Sequence, residues 1–313
     1  MAINLPCREE YADIVSKFLV DVEFLMPPTS PDLSLEQPVI SHFKSQSWDE
    51  SIIRKATQRA RWASTGLGMV YPYATKDTKV MYGIFSTYMF LIDDSDSDLD
   101  TGLWEFEKRL IQGEPQKSPV LKSLLKFLGD MGAHIGPYSR AMISKTMVEF
   151  VCGRLLENRY NGVLVPPAGA LSFPQYLRQK AGIAEPFAHF AFPQQLYPEE
   201  LDLDKYLPII PDLCDFVSYV NDVLSFYKES MVSDEALNYI CNLSRVHGIS
   251  ISEALRLTCG KVVQSLHTIR TVLSKYPPML ETTEQFIQAY IAWYINQARY
   301  KLADLDIRFS MVG

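Results

Sequence analysis

Residues 78–98 read TKVMYGIFSTYMFLIDDSDSD, an aromatic-rich run with Val80, Phe85, Tyr88 and Leu91 at helical spacing that ends in Asp93, Asp94, Asp96 and Asp98. The stretch before it, Asp49 to Tyr71, shows the same long helical spacing with few breakers. Outward from this pair, periodicity predicts helices over Pro119–Met131, Pro137–Tyr160, Pro174–Phe192, Pro211–Met231, Asp234–Val246, Ile251–Tyr276 and Thr283–Phe309. Proline or a polar cap opens most of them. No alternating run is long enough for a strand, and the turn pair at Asn161 sits in a loop. The fold class is therefore all-α. Tyr138–Glu157 carries apolar residues on more than one face, which suits a bundle holding a pocket as well as a core. Without an internal repeat or a Ser- or Gly-rich linker, residues 1–313 read as one domain, with Met26–Pro38 and Val163–Pro174 as inter-helix loops.

With 47% apolar residues and 12% aromatics, the chain can bury a large core and still line a cavity. A net charge of −7 and the lack of a basic stripe argue against nucleic acid as a partner. An anionic ligand would need local arginines, a helix N-terminus or bound cations. Cys7, Cys152, Cys214, Cys241 and Cys259 are scattered, with no CxxC pair, and fit reduced thiols in an intracellular protein. His42, His134, His189, His247 and His267 show no ligand spacing. No leader-like apolar segment and no membrane span is visible, so a cytoplasmic, soluble protein is expected.

The aspartates sit where a helix ends, at its partially negative terminus, so each adds repulsion that a bound cation would relieve. Hard oxygen donors at this density suit magnesium, which keeps waters and shares its shell with phosphates. The EF-hand pattern is absent, and a solvated acidic turn is the bland alternative. Arg59 and Arg61, on the preceding helix, are candidate partners for Asp93 or Asp94.

In Asn221-Asp222-Val223-Leu224-Ser225-Phe226-Tyr227-Lys228-Glu229, the residues Asn221, Ser225 and Glu229 fall at i, i+4 and i+8 and share one helix face. At about 1.5 Å per residue they span roughly 12 Å, and Glu229 can lean back towards Ser225. An amide oxygen, a hydroxyl and a carboxylate make a chelating set, with Lys228 beside it as a phosphate partner. Two such clusters in one apolar bundle point to metal binding across a cavity mouth.

The aspartate-rich segment, the NDxxSxxKE segment and their separation resemble the class I terpene synthases, in particular the fungal-type sesquiterpene cyclases, over nearly the whole chain. The resemblance implies a helical bundle around an apolar cavity and a lyase reaction. The substrate would be a prenyl diphosphate, farnesyl diphosphate by the closest likeness, and the product a cyclised sesquiterpene with pyrophosphate released. Three Mg²⁺ ions are implied, with Asp93 and Asp94 as metal-binding residues opposite Asn221, Ser225 and Glu229. Arg178 resembles the diphosphate sensor and Gly182 the helix-break effector, while Lys228, Arg299 and Tyr300 would complete the clamp, the Arg-Tyr pair standing near the end of the final helix. Ser97 stands where a strict DDxxD pattern has its last aspartate, and Ala181 where the linker is more usually polar. A homodimer is a family possibility.

A carbocation that meets water becomes an alcohol, so the wall should be apolar and draw its polarity from π-faces. Candidate wall residues are Phe85, Tyr88, Phe90, Phe150, Phe187, Tyr219, Tyr290, Trp293 and Tyr294, although an aromatic at helical spacing is more often core. Two other readings stand beside cyclisation. A chain-elongating prenyltransferase would need a second aspartate-rich motif where Asn221 and Ser225 stand. A catalytically inactive isoprenoid-binding bundle would have little use for the intact triad.

Overall fold

A computed structural model of the chain describes residues 4–28, 32–94, 97–160, 163–233, 235 and 237–311. In chain order the elements are α1 (Arg8–Asp21), β1 (Leu25–Met26), α2 (Glu36–Lys44), α3 (Glu50–Val70), α4 (Lys76–Asp93), α5 (Ser97–Gln112) and α6 (Pro119–Asp130). There follow α7 (Pro137–Tyr160), α8 (Phe173–Ala181), α9 (Ala184–Phe190), α10 (Glu199–Tyr206) and α11 (Ile210–Leu224). A π-helical turn (Tyr227–Val232), α12 (Tyr239–His247), α13 (Ile251–Leu273), α14 (Pro277–Asn296) and β2 (Ser310–Met311) complete the chain. The all-α reading holds. Among the described residues the strand pairing is limited to β1 and β2, parallel, with Leu25 opposite Ser310 and Met26 opposite Met311.

Local chemistry starts and stops these helices. Thr75 caps α4 by accepting from the Thr78 amide, and Ser250 with Glu253 forms a reciprocal capping box on α13. Pro277 opens α14, where its missing N–H costs nothing, and Gly248 closes α12 in the left-handed region at φ 66°. The apolar faces then pack: α11 lies against α9 and α13, α3 against α2 and α4, and α14 crosses α3. Phe190 is fully buried, stacked 4.0 Å from Tyr82 and edge-on to Phe85, Tyr71 and Phe187. Truncating such a residue to alanine costs about 3–5 kcal/mol.

Four predicted helices differ from those observed. Asp234–Val246 forms only from Tyr239, as α12, with Asn238 as its cap. The run Pro174–Phe192 is broken between α8 and α9, because Gly182 turns to extended backbone (φ −90°, ψ 166°) while its N–H still reaches the Arg178 carbonyl at 2.8 Å. Gly153 on α7 makes room for that break, since a Cβ there would stand 2.3 Å from the Lys180 carbonyl oxygen. Pro211–Met231 begins as α11 but ends at Leu224 and passes into the π-helical turn. Thr283–Phe309 starts earlier, at Pro277, and stops at Asn296, so Arg299 and Tyr300 lie in a 3₁₀ turn beyond the helix instead of inside it. Lys301 follows at φ 57°, a reversal with no glycine or proline to announce it. Periodicity does not single out α1, α2, α5 or α10. Asn161 and Asp234 lie outside the described residues, as do Asp96 and the side chain of Asp98.

Candidate active site

Seven helices, α3, α4, α7, α8, α9, α11 and α14, enclose a cavity of about 430 Å³, with α12 at one side. Along four of these helices its chemistry changes in the same sense. On α4 the lining runs Ser86, Met89, Phe90, Asp93; on α7, Phe150, Arg154, Glu157; on α11, Val217 to Asn221 and Asp222. On α14 it runs Tyr290, Trp293 and Tyr294 before reaching Arg299 and Tyr300. Apolar residues come first and charged residues gather at the C-terminal ends. One end of the cavity is thus greasy and the other ionic, and helix termini add partial negative charge to the ionic end.

At that end the structure brings the two oxygen-rich segments together: Asp93, Asp94, Asn221, Lys228 and Glu229 line one cavity. Ser225 is buried just behind it and donates to Glu229 Oε2 at 2.9 Å. The i→i−4 amide bonds from Ser225 to Asn221 and from Glu229 to Ser225 survive the passage into the π-helical turn, which keeps the three on one face.

Arg178 is fastened to the same strip. Its Nε contacts Asp222 Oδ1 at 2.9 Å, and its Nη2 donates to Asn221 Oδ1 at 3.0 Å and to the Ser218 carbonyl at 3.1 Å. Asn221 Nδ2 in turn donates to the Tyr294 hydroxyl at 3.0 Å. Burial pushes the Asp222 carboxyl up to about 6 against the opposing pull of Arg178. Gly182 belongs to this arrangement, because a Cβ on it would stand 2.2 Å from Arg178 Nη1.

The end of α4 is held more loosely. Asp94 Oδ2 lies 3.1 Å from Arg59 Nη2, while Arg61 pairs with Glu36 instead. Asp93 stands 4.0 Å from Arg154, whose Nη1 is nearer Glu157, at 2.7 Å. Burial raises the Asp93 carboxyl, Arg154 opposes this, and the charge of Asp94 adds to it. With 44% of its side chain exposed at the cavity, water there softens the shift. Arg299 lies over the rings of Phe90, Tyr300 and Trp62 at 5.3, 5.5 and 5.6 Å, and its Nη1 is buried without a hydrogen-bond partner among the described residues.

Among the predicted wall residues, Phe90, Phe150, Phe187, Tyr290, Trp293 and Tyr294 line the cavity. Phe85, Tyr88 and Tyr219 do not. The cavity stripe of α4 passes through residues 86, 89, 90 and 93, so positions 85 and 88 point aside. Phe85 packs edge-on to Phe190, and Tyr88 sits among Phe43, Trp48 and Phe127 with its hydroxyl 3.0 Å from His42 Nε2. Tyr219 faces Tyr239 and hydrogen-bonds Gln175.

Sequence reading missed Arg154, Glu157, Asp222, Glu235 and Asn242, all of which line the cavity. A signal existed for two of them: Phe150, Arg154 and Glu157 fall at i, i+4 and i+7, on the stripe that also carries Gly153. Glu235, pushed up to about 7 by burial, arrives from an irregular segment, and no periodicity could have placed it.

Among the described residues no three His, Cys, Asp or Glu side chains gather closely enough to cage a metal ion. A few carboxylates, one amide oxygen and one hydroxyl spread over two walls suit magnesium, which completes its shell with water and substrate phosphate.

Residues 35–309 match the family model described as Trichodiene synthase (TRI5). The chain belongs to that family. It is a class I terpene synthase, a carbon–oxygen lyase acting on phosphates. It is 32% identical over 304 residues to an (E)-beta farnesene synthase of Metarhizium brunneum, covering 96% of this chain and 91% of that protein. To a trichodiene synthase of Fusarium boothii it is 25% identical, over 85% of this chain and 71% of the other. The linalool/nerolidol synthase of Streptomyces clavuligerus, solved in complex with 2-fluorogeranyl diphosphate, shares the fold at a TM-score of 0.61 and 16% identity, over 91% of this chain and 99% of that one. No helix among the described residues of this terpene synthase is long and apolar enough to cross a membrane.

Proposed function

We propose that this terpene synthase ionises farnesyl diphosphate and closes the resulting cation to a sesquiterpene, releasing pyrophosphate. One observation carries the reading: Asp93, Asp94, Asn221, Glu229 and the cations Arg178, Lys228 and Arg299 share the ionic end of a cavity whose other end is apolar. The names of the relatives, farnesene and trichodiene synthases, support a fifteen-carbon substrate. The diphosphate analogue bound by the Streptomyces enzyme supports the ligand class.

Three Mg²⁺ ions, held by Asp93 and Asp94 on one wall and by Asn221, Ser225 and Glu229 on the other, would neutralise the diphosphate and make it a good leaving group. Arg178, Lys228, Arg299 and Tyr300 would grip its oxygens through charge-assisted hydrogen bonds. The carbon–oxygen bond breaks with its electron pair leaving on the diphosphate. Gly182, at the partially negative C-terminus of α8, turns that end of the helix towards the chain that becomes cationic. Phe90, Tyr290 and Trp293 face the cation with π-surfaces and exclude water until a proton is lost.

A second reading is favoured by the Metarhizium relative, since (E)-β-farnesene is an open-chain hydrocarbon: the cation would lose its proton before any ring closes. Incubation with ten-, fifteen- and twenty-carbon allylic diphosphates, with and without Mg²⁺, followed by gas chromatography with mass spectrometry, separates these readings. A cyclic fifteen-carbon hydrocarbon is expected; an acyclic one selects the second reading. A requirement for isopentenyl diphosphate would mean chain elongation, and no pyrophosphate release would mean a binding protein.

A further inference from the structure

Trp62 lies half-buried on α3, outside the residues that line the cavity, and no motif marks it. Two guanidiniums nevertheless meet on its indole. Arg59, one turn earlier on α3, places Cζ 5.7 Å from the ring, and Arg299, from the 3₁₀ turn after α14, places Cζ at 5.6 Å. Arg59 extends onward to Asp94 at 3.1 Å. Arg299 has Phe90 and Tyr300 as its other ring neighbours, and its buried Nη1 has no hydrogen-bond partner among the described residues.

That arrangement needs a cause. Arg299 is close enough to act electrostatically on Asp93, and a long flexible cation beside carboxylates would ordinarily fold onto one of them. Three ring faces supply the competing attraction. With the guanidinium held on them, Asp93 keeps its charge for metal and Arg299 keeps its donors for an anion. Phe90 and Tyr300 also line the cavity, so their removal would change the wall as well. Trp62 is the face of the cage that can be altered without touching the wall.

We propose that Trp62 is a positioning residue that holds Arg299 off the aspartates and ties it, through Arg59, to Asp94, so that the diphosphate clamp is preformed. The proposal rests on the diphosphate reading given above. It is tested on the full chain by isothermal titration of inorganic pyrophosphate in excess Mg²⁺. Trp62→Leu should bind about tenfold more weakly than wild type, and Trp62→Phe, which keeps a π-face, within about twofold of it. Trp62→Met, which fills similar space flexibly, serves as a second non-aromatic variant if the leucine variant loses helix content by circular dichroism. Placing Arg299→Ala in the Trp62→Leu background should add little further loss, because both changes remove one coupled interaction. Wild-type affinity in both non-aromatic variants overturns the proposal, as does equal weakening in Trp62→Phe. Failure of the wild-type protein itself to bind would instead overturn the diphosphate reading, and this proposal with it.

Discussion

On α11 the amide of Asn221 is engaged at both ends, by Arg178 at 3.0 Å and Tyr294 at 3.0 Å, and Ser225 holds Glu229 at 2.9 Å. Across the cavity, the ion pair Asp93 makes among the described residues is with Arg154, 4.0 Å away and closer to another carboxylate, and Arg299 rests on aromatic rings. One wall is wired before any ligand arrives; on the other, Asp93 and Arg299 stay apart for something to join them. Preorganisation on one wall fixes geometry. Unspent charge on the other supplies affinity that appears only on binding. The same residue types therefore do different work, and mutations on the two walls should fail differently.

The largest effect is expected on the loosely held wall. Asp93→Asn should lower pyrophosphate release by about a thousandfold, the scale of losing a principal charge-stabilising group, with the melting temperature little changed. A marked fall in melting temperature would break the contrast. On the wired wall, Asp222→Ala leaves Arg178 buried without its carboxylate and should cost about 3 kcal/mol in denaturant unfolding. If it unfolds like wild type, the pairing is not structural. Next, Gly182→Ala places a methyl 2.2 Å from Arg178 Nη1 and 2.6 Å from the Arg178 carbonyl oxygen. The guanidinium must shift, and turnover should drop by about a hundredfold through misplacement alone, visible as a fall in kcat. Unchanged kcat would mean that Arg178 moves freely, as on the other wall.

The smallest effect lies behind both walls. His189 is buried on α9, neither ring nitrogen has a hydrogen-bond partner among the described residues, and burial lowers its pKa to about 4. The fold holds it neutral while the unfolded chain takes up a proton below about 6.5, so its contribution to stability is lost as pH falls from 6.5 towards 4. Between pH 7 and 5 the wild type should lose about 1–2 kcal/mol more than His189→Leu. Equal losses would place the acid sensitivity in the carboxylates of the cavity instead.

Much of this was legible in the sequence, for identifiable reasons. Helical spacing found α3, α4 and α7 because long amphipathic runs repeat a signal. The aspartates and the Asn221–Glu229 triple were legible because oxygen donors at helical spacing share a face whatever surrounds them. Phe85 and Tyr88 were misplaced because a helix rich in aromatics all round does not say which stripe meets a cavity and which a neighbouring helix. The end of α14 was misread because Lys301 makes its reversal at φ 57° without the glycine that would announce it. Glu235 and Trp62 were missed because their meaning depends on partners far away in the chain.

Gly66, on α3, carries a consequence for how such a cavity changes its capacity. The Trp293 indole lies against it so closely that a Cβ would meet Nε1 at 2.3 Å and Cδ1 at 2.8 Å. Any larger residue at 66 must shift the indole, and so reshape the chamber from a position outside its lining. Volume is thus adjustable from behind the lining, with every residue of the ionic end left as it was.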